Sequence, residues 1–406
     1  MALIVQKFGG SSVANAERMR NVAKIVTDTY SQGNDVIVVV SAQGDVTDEL
    51  LEKAHDFNPH PSPREMDMLL STGEQVSAAL LAMAIKATGF PAVSLNAWQI
   101  GMVTDSTYSN ARIKSLSDER IRAELNRRNI VVITGFQGIN KFYDITTIGR
   151  GGSDTSAVAV AVKLGADCCQ IYTDVDGVYT ADPRIVPDAL KLDEITFDEM
   201  LELASLGAQV LHNRSVEMAK RFGMQLEVLS SMSHRPGTKV KEVVKKMEST
   251  LISGVAKDDN VACIALTQLQ DRPGVAYRIF SLLGGAHINV DIILQSIGRN
   301  DTKDITFTVA KNTADEALEI LEEHKDELGF ESMTCDKDVS KVSIVGSGMI
   351  NNPGIASQMF EALYSVGVNI RMISTSEIKV SVLIDSADSA IAMRSVHSKF
   401  FNRNGV

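Results

Sequence analysis

Residues 2–13 read "ALIVQKFGGSSV". A short apolar run ends in one lysine, two glycines and two serines. The run predicts a strand over 2–8. The stretch "SVANAERMRNVAKIVTDTY" (12–30) then has helical spacing, with Val13, Met19, Val22, Ala23 and Val26 on one side. A strand, a glycine turn and a helix starting near Ser12 leave backbone N–H groups that attract an anion. The glycines remove the Cβ atoms that would block a phosphate, and Lys7 adds a point charge. The pattern is neither G-x-x-x-x-G-K-[ST] nor G-x-G-x-x-G. Taken alone, it is equally a tight turn beside a solvated lysine.

Working outward, "DVIVVVSA" (35–42) is a continuous apolar run, typical of a strand covered on both faces. A helix around 65–88, a strand at 92–95, a helix near 118–128, a strand at 130–136, a helix at 154–164 and a strand at 169–175 follow. This alternation predicts an α/β fold with a mostly parallel sheet and helices on both faces. "HRPGTKVKEVVKK" (234–246) marks the end of that domain with a Pro-Gly turn and a lysine-rich stretch.

The remainder is an internal repeat. "DRPGVAYRIFSLLGGAHINVDIILQS" (271–296) aligns without gaps on "NNPGIASQMFEALYSVGVNIRMISTS" (351–376). Each copy reads βαββα. The first adds a last strand, "FESMTC" (330–335), while "LISGVA" (251–256) precedes it unassigned. We expect "LISGVA" to complete the second copy, with the first inserted inside it. The domains expected are then 1–246, 261–337, and 251–256 plus 340–406. The complete unit is the ferredoxin-like βαββαβ arrangement.

The 406 residues suit two or three domains. A net charge of −11 disfavours nucleic acid and anionic membranes as partners. No continuous apolar run reaches the length of a membrane span, and no signal-peptide pattern is evident. Cys168, Cys169, Cys263 and Cys335 match neither zinc nor disulfide spacing, which points to a reducing cytoplasm.

Two further loops carry chemistry. "TTIGRGGSDTSAVAVAV" (146–162) again sets glycines and Ser153-Asp154 at a helix start. Arg150 offers a planar fork suited to a carboxylate. Asp154 alone could serve as a helix cap. "YTDVDGVYTADPR" (172–184) follows the last strand of the series. Its Asp174-Val-Asp176-Gly177 resembles the start of a calcium loop without the closing glutamate, and is equally an Asx turn. Loops at the C-terminal ends of parallel strands face one crevice, where ligands bind in open α/β sheets.

"KFGGSSV", "LLSTGEQ" (69–75), "GFQG…TTIGRGGSDTSAVA" and "TDVDGVYTADPR" together resemble the signature of aspartate kinase. The resemblance covers nearly the whole chain. It implies an amino-acid-kinase αβα sandwich followed by paired regulatory ACT domains, in a monofunctional enzyme. The implied reaction is transfer of phosphate from ATP, with Mg²⁺, to L-aspartate, giving 4-phospho-L-aspartate. That is the first step toward lysine, threonine and methionine. Lys7 and Asp154 are the implied catalytic residues. Lys7, Phe8, Gly9, Gly10 and Ser11, with Thr173, Asp174, Tyr179, Asp182 and Arg184, fall to ATP. Ser41, Thr47, Glu74, Arg150, Gly151, Gly152 and Ser153 fall to aspartate, Glu74 toward its ammonium and Arg150 toward its carboxylate. No protein metal site is implied. Many family members carry lysine where this chain has Gln209, so Lys7 is expected to carry more of the phosphate charge.

In each repeat copy a Pro-Gly pair opens a helix, at Pro273-Gly274 and Pro353-Gly354. Asn289 and Asn369 recur at the start of the next strand. Asp271 and Asp291 of the first copy correspond to Asn351 and Arg371 of the second, and both aspartates suit a ligand ammonium. The effector residues expected are Asp271, Gly274, Ala276, Asn289, Asp291, Gln295, Ala356, Asn369, Ile370 and Glu377. The effector is lysine, threonine or both. A homo-oligomer through the ACT domains is expected, or association with a separate small subunit starting near Met247. Two other readings compete. One is a sister kinase acting on glutamate, acetylglutamate or UMP. The other is a non-catalytic amino-acid sensor, against which stand the retained Lys7 and Asp154.

Overall fold

Leu3–Phe8 lies inside an eight-stranded sheet, between Cys168–Thr173 and Asp35–Val40, and pairs in parallel with both. The computed structural model describes residues 1–206, 210–233, 235–244, 251–296, 301–350 and 352–401. Gln209, Met247 and Asn351 lie outside them. The chain forms two compact units. The first holds Met1–Tyr179, Leu190–Ser205 and, of the described residues, 210–244. The second holds Thr180–Ala189, Leu206 and the described residues from 251 onward.

In the first unit the strand order is Glu194–Thr196, Thr238–Lys241, Leu226–Ser230, Cys168–Thr173, Leu3–Phe8, Asp35–Val40, Ile130–Thr134, Ala92–Leu95. Within this sheet only Leu226–Ser230 and Thr238–Lys241 run antiparallel among the described pairs. Phe8 aligns with Val40 on one side and Tyr172 on the other, so the C-terminal ends of the central strands finish level. Phe8, Val38, Val40, Met19, Val22, Leu81 and Ile85 share one core with the helices Ala16–Ser31 and Pro63–Ala87.

The first helix starts later than its spacing suggests. Gly10–Val13 forms one 3-10 turn, and Asn15 caps the helix by accepting from the Arg18 amide at 3.0 Å. Pro63–Ala87, capped by Ser62, is long and apolar enough by composition to cross a membrane, although no uninterrupted apolar run marks it. Half of its most apolar stretch is buried in the fold, and its inner face carries Asp67 and Glu74. The helix Val46–Phe57 and a small sheet of Val103–Thr104, Ile113–Ser115, Gln137–Ile139 and Ile145–Thr147 add the rim of the sheet's C-terminal edge. These strands are too short to show a period of two.

The second unit holds two four-stranded antiparallel sheets. Their orders are Val290–Gln295, Thr302–Val309, Ala262–Gln270, Ser332–Asp336 and Gly254–Asp258, Val339–Val345, Lys379–Asp385, Met372–Thr375. Gly254–Asp258, reached through the "LISGVA" stretch, pairs with Val339–Val345 as Ser332–Asp336 pairs with Ala262–Gln270. Val261, Ile292, Val339, Met372 and Leu383 form a shared apolar seam, in which Ile292 and Met372 are repeat equivalents.

Thr180–Ala189 also belongs to this unit. Ala181 and Val186 are buried with Ile252, Val255 and Val342. Thr180 Oγ1 lies 2.8 Å from Nε2 of His397, which is buried and stacked on Phe401. Burial lowers the His397 pKa from its ordinary 6.5, with Asp188 partly opposing. A depressed histidine pKa contributes stability above 6.5 that is lost as pH falls, because the unfolded state takes up the proton more readily. His397→Gln is therefore expected to show a smaller drop in Tm between about pH 7.5 and about pH 5.5 than the parent. Parallel Tm profiles in calorimetry would remove His397 from that role.

Candidate active site

Where the central strands end, the chain encloses a cleft of about 650 Å³. Its lining includes Lys7, Gly9, Gly10, Ser41, Thr47, Glu74, Arg150, Gly151, Gly152, Ser153 and Asp154. Four sequence stretches that are far apart in the chain are thereby brought to one cleft.

The floor is built from Lys7 and Asp154. Lys7 Nζ lies 2.7 Å from Asp154 Oδ1, and both side chains are nearly buried. Lys7 projects from a central strand and Asp154 from the first turn of the helix Gly152–Leu164. That helix has no side-chain cap. Asp154 spends its carboxylate on Lys7, leaving the helix N–H groups to face the cleft. Gly151, at φ +67°, leads into this helix, and a Cβ there would collide with the His212 ring. Gly10 likewise tolerates no Cβ, which would lie 2.8 Å from the Ala42 carbonyl oxygen.

One wall is the helix Pro63–Ala87. Glu74 is buried; its Oε1 accepts from the Ala42 amide at 3.1 Å. Its Oε2 is buried without a hydrogen-bond partner. Burial raises the Glu74 pKa to about 7, with the Ala42 amide partly opposing. A carboxylate oxygen held dry and unpaired beside a cleft is an acceptor left open to a ligand. Arg150, also part of the cleft lining, is exposed. Ser41 follows Asp35–Val40, and Thr47 sits in the first turn of Val46–Phe57.

The amino acid kinase family model matches residues 2–230, and an ACT domain model matches 265–324 and 342–400. The chain is 48% identical to the aspartokinase of Bacillus sp. (strain MGA3) over 400 residues, covering 98% of this chain and 97% of that protein. Crystal structures of Escherichia coli aspartokinase III align with it at 26% identity. The form with aspartate and ADP gives a TM-score of 0.83, covering 98% of this chain and 100% of that one. The form with lysine and aspartate gives 0.76, covering 98% and 99%.

This chain belongs to the aspartokinase family. It is an ATP-dependent phosphotransferase acting on L-aspartate at the first step of the aspartate pathway, with ACT domains for allosteric control. The sister kinases and the non-catalytic sensor drop out as readings.

The aspartokinase residues expected on the nucleotide side are distributed differently. Phe8 stacks on Tyr172 with ring centroids 4.5 Å apart. Thr173 donates to Asp174 at 2.9 Å, and Tyr179 donates to Asp176 at 2.6 Å. Asp182 and Arg184 are part of the second unit and pair with each other at 2.8 Å. In the repeats, Asp271 pairs with Lys303 at 3.0 Å, and Asp291 pairs with Lys341. Both aspartates expected to receive an effector ammonium thus already hold a lysine. Arg371, the repeat equivalent of Asp291, pairs with Asp336 and Asp385. Asn289, Gln295, Asn369 and Glu377 are exposed. Gly274 and Gly354 share a left-handed φ, at +94° and +92°.

Several residues at the site went unread. Phe136 lines the cleft at φ +66°, a strained conformation for a bulky side chain. Ser12 Oγ lies 2.7 Å from Ser231 Oγ, joining the first loop to the end of Leu226–Ser230. Arg214 donates to the Ile148 carbonyl at 2.7 Å and the Ala111 carbonyl at 2.8 Å. Asp67 is fully buried. The signal for Asp67 was present: with Glu74 it makes two acids at i and i+7 on the apolar face of one helix.

Glu74 generates a pH prediction. Its folded pKa lies above the ordinary 4.5, so its contribution to stability is present below 4.5 and lost as pH rises through about 7. Glu74→Gln should raise the Tm of the ligand-free enzyme above that pH. In the parent, KM for aspartate should climb as pH falls below about 7, because the protonated acid cannot pair with an ammonium. In Glu74→Gln the KM should be higher by about 30-fold or more and flat across that range. An unchanged, still pH-dependent KM would exclude Glu74 from the ammonium contact.

Proposed function

We propose that the cleft binds aspartate between Glu74 and Arg150 and presents its side-chain carboxylate to the γ-phosphate of ATP. The observation that carries this reading is the unpartnered, buried Glu74 oxygen in the same cleft as the Lys7–Asp154 pair. An aspartate side chain is ionised at neutral pH, with an ordinary pKa of about 3.9. It is a nucleophile that needs no general base. The difficulty is bringing two anions together, so catalysis rests on positioning and charge stabilisation.

Lys7, the turn at Gly9, Gly10 and Ser11, and the uncapped helix start at Gly152 and Ser153 supply positive charge and N–H donors. Asp154 keeps the Lys7 ammonium extended toward the phosphates. Arg150 takes the α-carboxylate, and Ser41 and Thr47 offer hydroxyls along the substrate. Thr173, Asp174 and Tyr179 serve the nucleotide side, and Asp182 and Arg184 follow in the same stretch of chain. Mg²⁺ travels with the nucleotide. Among the described residues no three carboxylates, histidines or cysteines are grouped to hold it. Mg²⁺ is an ion that keeps phosphates and waters as most of its ligands.

The domain limits we assign are 1–246 for catalysis, with 180–189 packed in the second unit, 261–337 for the first ACT domain, and 251–256 plus 340–406 for the second. Lysine, threonine or both act on the ACT pair, and copies associate through it or with a separate small subunit. Asp271, Gly274, Ala276, Asn289, Asp291 and Gln295 form the first effector site, and Ala356, Asn369, Ile370 and Glu377 its counterpart. A ligand ammonium at Asp271 or Asp291 shares or competes for a carboxylate that already holds Lys303 or Lys341. ATP consumption and four unpaired cysteines suit a cytoplasmic setting.

Trapping the acyl phosphate with hydroxylamine, over a panel of acidic amino acids and UMP, tests the reading. Aspartate should be the preferred acceptor, with turnover lost when Mg²⁺ is chelated and reduced by lysine, threonine or the pair. Lys7→Ala should lower kcat about 10²–10³-fold, the usual loss for one preorganised charge contact. Faster turnover of glutamate or UMP would overturn the substrate assignment.

A further inference from the structure

The helix Pro63–Ala87 buries two carboxylates two turns apart, and they are treated oppositely. Glu74 has an oxygen with no partner. Asp67 has none to spare. Its Oδ1 accepts from Ser109 Oγ at 3.2 Å and Thr147 Oγ1 at 2.8 Å. Its Oδ2 accepts from the Ser109 amide at 2.9 Å and the Thr147 amide at 2.8 Å. Asp67 therefore binds no ligand of its own. It clamps two loops, and both Ser109 and Thr147 line the cleft.

The clamped segments are under backbone constraint. Ser109 holds φ +64° and Gly149 φ +85°, and a Cβ on Gly149 would lie 3.0 Å from the Ser109 carbonyl oxygen. The Ala111 amide donates to the Thr147 carbonyl at 2.9 Å, so the loops are also bonded to each other. Three residues beyond Thr147 stands Arg150. One rigid helix thus carries both the open acceptor, Glu74, and the anchor of the loop that bears Arg150.

We propose that Asp67 is a positioning and specificity-determining residue that fixes the separation between Glu74 and Arg150, and so the length of amino acid the cleft accepts. This rests on the reading of Glu74 and Arg150 as the two ends of the substrate site. A carboxylate is needed because four donors converge on it. An amide would offer one acceptor oxygen and turn an NH₂ group toward donors. The loop then relaxes, the Glu74–Arg150 distance spreads, and discrimination by one methylene weakens. Such discrimination is ordinarily 10–200-fold.

The test uses full-length Asp67→Asn in the hydroxylamine assay with aspartate and with glutamate. The parent's preference for aspartate checks the underlying reading separately. For Asp67→Asn we expect the ratio of kcat/KM for aspartate over glutamate to fall about tenfold or more. Aspartate KM should rise while ATP KM stays within about twofold of the parent. A purely structural role would lower Tm and the active fraction, leaving both the ratio and the KM values in place. That outcome overturns the proposal. Should Asp67→Asn fail to fold, Thr147→Val and Thr147→Ser decide. Loss of the hydroxyl should reduce the ratio and Thr147→Ser should restore it. Equal ratios in the two variants would overturn the proposal as well.

Discussion

The site depends on one ion pair. Lys7 and Asp154 meet at 2.7 Å, one from the middle of a parallel sheet and one from a helix start. Taking both charges out of water is costly, and a buried pair seldom stabilises a fold better than apolar residues would. Its value here is placement. The strand register levels Phe8 with Val40 and Tyr172, so Lys7, one residue back from the strand's end, stands close to where three loops converge. Asp154 can reach it only because Gly151 and Gly152 bring the helix in close, where side chains would meet His212 or Phe136. The glycines, the register and the uncapped helix all follow from seating one ammonium on the floor of the cleft. In a chain of net charge −11, this local concentration of donors is what allows two anions to approach.

Much of this was legible because it rests on local patterns. Continuous apolar runs marked the buried parallel strands, glycine pairs marked the loops, and the ungapped repeat marked the tail. What was missed has long-range causes. Val46–Phe57 has no fully buried residue, so no strong apolar stripe announces it. The four strands of the rim sheet have two or three residues each, below the length at which alternation can be seen. Arg214 acts on carbonyl groups more than 60 residues away in sequence. A sequence reading has no means of assigning such partners. The first helix was placed too early because Ser12, Val13 and Ala14 fit its spacing. The cap at Asn15 then decided the boundary.

The repeated tail shows how equal sequences acquire unequal surroundings. Asp291 and Arg371 occupy the same repeat position with opposite charge. Each finds a counter-ion across the shared seam, Lys341 for the first and Asp336 for the second. The apolar part of the seam stays nearly symmetric through Ile292 and Met372, while the polar part is inverted in sign. A like-charged pair at these positions would have cost the seam its closing contacts. The inversion also makes the two copies distinguishable to a charged ligand, which an exact duplicate would not be.

The segment 180–189 ties this tail to the chemistry by covalent continuity. Tyr179 ends the first unit's share of the "TDVDGVYTADPR" stretch, and Thr180 begins the second unit's. Ala181 and Val186 are part of the second sheet's core, and Thr180 is held by the buried His397. A repacking of that core therefore cannot leave residues 180–189 where they are. Interiors are close-packed and respond by switching between arrangements, not by yielding gradually. An effector can use such a link only by binding its two arrangements unequally, with couplings typically of about 1–3 kcal/mol. A ligand ammonium arriving at Asp271 or Asp291, as proposed, would compete with Lys303 or Lys341, so only the difference between charge-assisted bonds would remain. The regulatory half of the molecule thus needs no direct contact with aspartate to matter to it. It needs only to own residues 180–184 of the stretch that begins at the sheet edge beside Lys7, and the five that follow.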